Sequence, residues 1–336
     1  MSQPLRIGIV GCGGIARSHV RAYQACPEAK LVALYDVAAA SAAKLKADLP
    51  DVRLAASPED MAAQDNLDAV SICTPPSAHL DNCRPFLASG IPVLCEKPLE
   101  VNLARARKLA ALAQRSGTPF MTAFCHRYHP AVRELKRLID AGTLGTAVHF
   151  RNLFGGYLDL KGNHRTDPAL SGGGCLIDHC CHSVDLFRFL VGEPTHVQAL
   201  AGNVAQAVPI EDFGMIQLSV GGKAFGEITA SYSLRVCDNT IEWYGSKGTA
   251  VISYWVEGQP DLRYRLATDQ AWQTVDVSAH PDRFTGEVRA FLACVKSGQT
   301  PPITATDGVQ ASRLADAIYR SATSGRKVAL ARRTAR

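Results

Sequence analysis

Residues 7–16, IGIVGCGGIA, constrain this chain more than any other stretch. Ile7, Ile9 and Val10 form a short apolar strand. Gly11, Gly13 and Ala16 follow in a G-x-G-x-x-A spacing, and an amphipathic segment comes next. Strand, glycine turn and helix in that order open a parallel-sheet unit whose helix N-terminus faces whatever lies beyond the strand end. Gly11 permits the tight turn, Gly13 lets backbone approach a phosphate, and Ala16 lets helix and strand pack closely. Gly14 and Ile15 stand at the start of the helix. Asp36 ends the next strand, twenty residues after Ala16. A carboxylate there accepts both hydroxyls of an adenosine ribose and repels a 2′-phosphate. Val37, Ala38, Ala39 and Ala40 supply no cation to hold one. The stretch therefore predicts a bound dinucleotide, NAD in preference to NADP.

The remaining composition sets limits. A chain of 336 residues, 47% hydrophobic and 20% charged, is long enough for two domains with buried cores. No apolar run approaches the ~18 residues of a membrane span, so no membrane partner is expected. The net charge of +5 is small and dispersed, which argues against nucleic acid. Arg332, Arg333 and Arg336 read as a solvated tail. The first strand begins too early to leave room for a signal peptide. Eleven cysteines, an odd number without any C-x-x-C spacing, suggest reduced thiols in a cytoplasm.

Up to residue 123, short apolar strands at 31–35, 69–74, 92–95 and 120–123 alternate with helical patterns. Apolar runs without two-fold alternation suit a sheet covered on both faces, so residues 1–123 are expected to form a doubly wound, dinucleotide-binding Rossmann domain. Ser77 is a candidate cap for a helix stopping at Gly90, and Asn102 for one stopping at Gly117. Residues 124–330 read as an α+β domain. It starts with a helix over 130–141 and a long strand with Val148, Phe150, Asn152 and Phe154 on one side. A helix over 177–190 and strands at 195–201, 215–220, 225–233, 240–244 and 250–255 follow. Glycine turns between these strands suggest an antiparallel meander. Helices over 284–296 and 308–323 close the chain and can pack back on the first domain. The α/β architecture expected is thus a parallel Rossmann sheet plus a mostly antiparallel sheet with one open face. A second subunit would cover that face, in a homodimer or homotetramer.

Three further stretches carry chemistry. Thr74 and Pro75, at the carboxyl end of the fourth strand, and His79 just beyond are placed to line a dinucleotide, although Pro75-Pro76 is equally a plain helix-entry turn. Glu96 and Lys97 end the fifth strand, with Glu96 counted among the cofactor-lining groups. Lys97 before Pro98 is held out of helix, so its ammonium can stabilise an alkoxide at the mouth of a cleft. The glycine triplet Gly172, Gly173 and Gly174 offers close backbone approach to a ligand, and a helix then carries Asp178, His182 and Asp185 along one face. Asp178 and His182 are acid–base equipment beside a nicotinamide, the imidazole exchanging the hydroxyl proton and the carboxylate orienting. His179, Cys180, Cys181 and His182 raise the question of zinc, but consecutive residues diverge around a helix, and no metal is expected. His126, Tyr157, Asn163, His164 and Arg165 are hydrogen-bonding types suited to a polyol substrate. Arg127 is either one of these or a structural ion-pair residue.

The same residues resemble the Gfo/Idh/MocA oxidoreductases, named for glucose–fructose oxidoreductase and inositol dehydrogenase. The resemblance covers the glycine turn, T-P-x-x-x-H from Thr74 to His79, and E-K-P from Glu96 to Pro98. It extends through R-Y-x-P from Arg127 to Pro130, the glycine triplet and D-x-x-x-H. It implies a catalytic Lys97, Asp178 and His182, a sugar, sugar-derivative or cyclitol substrate, and oligomer contacts through the open sheet face. The family's usual D-x-G-x-H carries Cys180 at the glycine position here. Two other activities fit the resemblance: a nucleotide-sensing regulator that has lost catalysis, and an NAD-dependent glycosidase.

Overall fold

The computed structural model describes residues 3–254 and 261–330. Arg332, Arg333 and Arg336, named above, lie outside the described residues. The chain divides into two compact units, Met1–Cys125 with Asp282–Ser312, and His126–Pro281 with Arg313–Arg336.

In the first unit β1 (Leu5–Val10), β2 (Ala29–Tyr35), β3 (Arg53–Leu54), β4 (Ala69–Ile72), β5 (Val93–Glu96) and β6 (Phe120–Ala123) form one parallel sheet, ordered β3-β2-β1-β4-β5-β6. Helices α1 (Gly14–Gln24), α2 (Ala39–Lys46), α3 (Pro58–Gln64), α4 (His79–Ala88) and α5 (Leu103–Ser116) connect the strands. Every residue of β4, β5 and β6 is buried, as their unbroken apolar runs require. The order reverses between β1 and β4, which opens a crevice at their carboxyl ends. Asn102 caps α5 by accepting the Arg105 N–H, and Gly117 ends it in the left-handed region. Ser77 does not cap α4: a 3-10 turn at Pro76–Ala78 precedes the helix, and Ala78 holds the cap position without a side-chain bond. The Ser77 carbonyl instead accepts from the Arg105 guanidinium, at 2.8 Å.

The second unit contains α6 (Pro130–Asp140), β7 (Ala147–Gly155), α7 (Pro168–Ser171) and α8 (Cys175–Leu190). Seven strands follow: β8 (His196–Gly202), β9 (Phe213–Val220), β10 (Ala224–Ser231), β11 (Asn239–Gly245), β12 (Gly248–Tyr254), β13 (Leu262–Leu266) and β14 (Gln273–Val275). They are not one simple meander. β7 lies between β10 and β11, parallel to the first and antiparallel to the second. The earliest strand thus takes the centre of the sheet, a choice that local alternation does not encode. One face is buried, with Phe150, Ile216, Leu218, Ile228, Ile241, Trp243 and Ile252 in its core. Gly226 lets α8 lie directly on it, because a Cβ there would meet the Phe187 ring at 2.3 Å. The other face exposes Leu200, Met215 and Phe225.

Of the closing elements, α9 (Arg283–Ser297) packs on α1 in the first unit, as its apolar stripe allows. The unit boundary falls inside α10 (Ala305–Ser324). The last strand, β15 (Val328–Ala329), pairs with β8.

Candidate active site

The dinucleotide cradle is built from three strand ends. Gly11 has φ +89, and a Cβ there would stand 2.6 Å from the Cys73 carbonyl carbon and 2.7 Å from the Thr74 nitrogen. Only glycine lets the turn after β1 press against the end of β4. Gly13 and Gly14 are the opposite case: a Cβ at either meets nothing within 4 Å. Gly13 caps α1 without a side-chain acceptor, so the first-turn N–H groups of Gly14, Ile15 and Ala16 present a site for an anion. Asp36 accepts from the Cys12 N–H (2.7 Å) and the Ala38 N–H (2.8 Å) and stays half-buried at the end of β2. Open space beside the glycines, an uncapped helix start and an anchored carboxylate fit a dinucleotide. Thr74 and Pro75 stand at the mouth of the same crevice. Burial, then Asp36 and Cys73, push the Cys12 thiol up to about 12, so it stays protonated.

Two expected cofactor contacts turn inward instead. His79 is fully buried, one ring nitrogen 2.9 Å from the Thr74 carbonyl and the other 3.1 Å from that of Leu99. It braces the two loops. Glu96 is also buried: Oε1 lies 3.0 Å from His19 Nε2, and Oε2 accepts the Lys97 peptide N–H at 3.0 Å. A second carboxylate, Glu100, accepts from the Leu80 and Val101 N–H groups and from Arg105. Lys97 is therefore suspended between two buried carboxylates that fix its loop. Composition hides this, because E-K-P-L-E reads as a charged surface turn.

In the second unit, Gly173 and Gly174 are packed against the chain itself. A Cβ on Gly173 would fall 2.0 Å from the Tyr319 hydroxyl, and one on Gly174 would fall 2.0 Å from the Glu211 carbonyl oxygen. Glu211 Oε1 accepts the Gly174 and Leu176 N–H groups (3.0 Å each) and the Tyr319 hydroxyl (2.7 Å), so the start of α8 is capped internally. One turn on, Asp178 Oδ2 accepts from the Tyr232 hydroxyl at 2.7 Å and from Arg165 Nε at 3.0 Å. Burial first, and then Asp178, hold the Tyr232 hydroxyl well above its usual range. His182, at the next turn, stacks on His126 with centroids 4.2 Å apart, and Phe154 sets its edge against both rings.

Of the other expected substrate contacts, Arg165 and His126 thus join Asp178 and His182. Asn163 caps a short 3-10 turn by accepting the Arg165 N–H, His164 is exposed, and Tyr157 stacks under Arg235 at 4.0 Å. Asp185 is taken up by a two-pronged pair with Arg127, at 2.7 and 2.6 Å. That assigns Arg127 to structure and leaves Asp178 and His182 as the polar pair of the α8 face. Cys180 points into the core, fully buried. Tyr232 was not foreseen: it stands one residue beyond β10, and only the fold brings it to Asp178.

Residues 5–124 match the oxidoreductase family model with an NAD-binding Rossmann fold, and residues 132–251 match the GFO/IDH/MocA C-terminal domain. A relative from Haloferax volcanii, D-xylose 1-dehydrogenase (NADP(+)) 2, is 31% identical and covers 97% of this chain and 100% of its own. The chain belongs to the Gfo/Idh/MocA family. This Gfo/Idh/MocA protein is therefore an oxidoreductase with an NAD-binding Rossmann domain. Inositol 2-dehydrogenase of Rhizobium meliloti is 27% identical over 97% of this chain and 99% of its own. Levoglucosan dehydrogenase, solved with NADH and levoglucosan, shares the fold at a TM-score of 0.88, with 23% identity over 97% of this chain and 99% of that one.

Proposed function

We propose that the protein is an NAD-dependent dehydrogenase that oxidises a secondary alcohol of a sugar, sugar derivative or cyclitol. The observation carrying this reading is the pair on α8: a carboxylate fixed by Tyr232 and Arg165, and one turn later an imidazole held between His126 and Phe154. Groups held so firmly suit proton exchange with a bound hydroxyl. His182 takes the hydroxyl proton, Asp178 orients the substrate, and the Lys97 ammonium stabilises charge on the oxygen. Bound NAD supplies the hydride acceptor. Gly11, Gly13, Gly14, Ile15, Asp36, Thr74 and Pro75 hold it, and Arg165 and His126 serve substrate orientation. The names of the inositol, D-xylose and levoglucosan relatives support the substrate class.

Asp36 favours NAD, since nothing in residues 37–40 can pair with a 2′-phosphate. The NADP(+) named for the Haloferax volcanii relative makes the comparison informative: kcat/KM for NAD should exceed that for NADP by at least about tenfold. The open face with Leu200, Met215 and Phe225 is assigned to self-association, which sedimentation would show as a dimer or tetramer. The central test is turnover with a panel of sugars and cyclitols. Lys97→Ala and His182→Ala should each lower kcat by about 100-fold or more, while NADH affinity changes little. Near-normal turnover in either variant would remove that residue from the chemistry.

A further inference from the structure

The reading above leaves one buried polar chain unused. His19, on α1, is 1% exposed. Its Nδ1 lies 3.2 Å from Ser71 Oγ at the end of β4, and its Nε2 lies 3.0 Å from Glu96 Oε1 at the end of β5. Ser71 Oγ is in turn 2.8 Å from the Tyr23 hydroxyl, one turn further along α1. Burial alone would depress the imidazole, but Cys73 and Glu96 outweigh it and hold His19 well above 6.5. An imidazolium donates from both nitrogens, to the serine oxygen on one side and the carboxylate on the other. A brace for α1 alone needs only the serine. The second nitrogen meets a carboxylate whose other oxygen accepts the peptide N–H of Lys97.

We propose that His19 is a positioning residue for Lys97, acting through Glu96, so that the helix presenting the dinucleotide cradle and the turn presenting the ammonium move as one body. The proposal rests on the reading of Lys97 as a group that touches the substrate oxygen. The chain of contacts is short and directional: imidazole, carboxylate, peptide N–H. Its effect is to orient the Glu96–Lys97 peptide from the same helix whose first turn faces the cofactor phosphates. A shift of Glu96 by a fraction of an ångström therefore displaces the ammonium without touching the cradle. The other ionisable groups around this chain are Cys73, Tyr23, Arg283 and Glu287.

The test compares His19→Gln with the wild type in the full-length protein. Trace acetylation with acetic anhydride, read by mass spectrometry across pH, reports Lys97 directly, with the exposed Lys30 and Lys108 as internal references. The expected result is a change of at least about threefold in Lys97 labelling with the references unchanged. NADH affinity should stay near wild type, and kcat should fall by about tenfold or more. In a Lys97→Ala background, His19→Gln should lower turnover no further. Wild-type labelling of Lys97 in a folded His19→Gln protein overturns the proposal, as does an equal loss of turnover in both backgrounds. If His19→Gln does not fold, Glu96→Gln decides: it removes the charge that His19 Nε2 meets and keeps an amide oxygen that can accept the Lys97 N–H, and unchanged Lys97 labelling there is equally fatal. Should Lys97→Ala itself keep its turnover, the catalytic reading of Lys97 fails, and the labelling still reports whether His19 positions it.

Discussion

Two helices in this molecule begin behind a run of glycines, and they use those glycines in opposite ways. At the start of α1, Gly13 and Gly14 border open space and no side chain caps the helix. At the start of α8, Tyr319 and Glu211 occupy the volume a side chain would need, and Glu211 takes the helix's free N–H groups. The first arrangement leaves room for a ligand. The second is a socket for another part of the same chain. Glycine beside a helix start thus reports close approach without saying what approaches, and the deciding fact is whether a protein acceptor already faces the N–H groups.

The contrast can be broken most sharply at Gly174. Its alanine variant forces a Cβ to within 2.0 Å of a backbone oxygen, and should lose about 3 kcal/mol of stability or fail to fold. Thermal denaturation measures this, and an unchanged Tm would mean the socket is not tight.

A second test concerns buried carboxylates. Glu211 has three donors, whereas neither carboxylate oxygen of Glu287, on α9, has a hydrogen-bond partner among the described residues. Burial, reinforced by Glu96 and only partly offset by His19 and Arg283, raises the Glu287 carboxyl well above 4.5. A raised folded-state value means that the stability from keeping the proton is complete below the unfolded value. It is lost as pH climbs toward the folded value. Glu287→Gln has no proton to lose. It should match the wild type near pH 4 and gain about 1.4 kcal/mol over it for each pH unit above that, until the folded group titrates. Parallel urea-melt curves across pH would contradict a neutral Glu287.

Gly13→Ala should leave Tm unchanged, since nothing stands near its Cβ. It should weaken NADH binding by about tenfold, near 1.4 kcal/mol, by filling the space through which backbone approaches phosphate. The smallest effect belongs to Glu211→Gln, which keeps an acceptor but removes the charge at the α8 start. About 1 kcal/mol of stability should go, with NADH affinity intact.

How much of this could be read from the chain depends on how local each feature is. The parallel sheet was legible because its strands are short apolar runs set between helical patterns, and residues 7–16 with Asp36 pointed to the crevice at the ends of β1 and β4. Lys97, Asp178 and His182 stood out through spacing. The partners of those groups did not. Tyr232 reaches Asp178, and Glu96 turns to His19, through contacts spanning 54 and 77 positions. His19 did leave a trace, as a polar residue within the apolar stripe of Ala16, Val20 and Tyr23 on α1. His79, Gly173 and Gly174 face protein groups that the sequence did not foretell for one reason: a buried imidazole or glycine looks the same in sequence whether protein or ligand fills the space beside it. Strand β13 does alternate, Leu262, Tyr264 and Leu266 with Arg263 and Arg265, but it is only five residues long and β14 only three, too short to announce themselves.

The nine-strand sheet of the second unit finishes in a three-residue strand, β14, at one margin and a two-residue strand, β15, at the other. Such stubs offer an incoming chain almost no free amide ladder, which closes the route to runaway cross-β stacking. Val328 and Ala329 therefore work as a selvedge: trimming them would bare the His196 and Val197 end of β8, and the trimmed protein should form thioflavin-binding aggregates that the intact one does not.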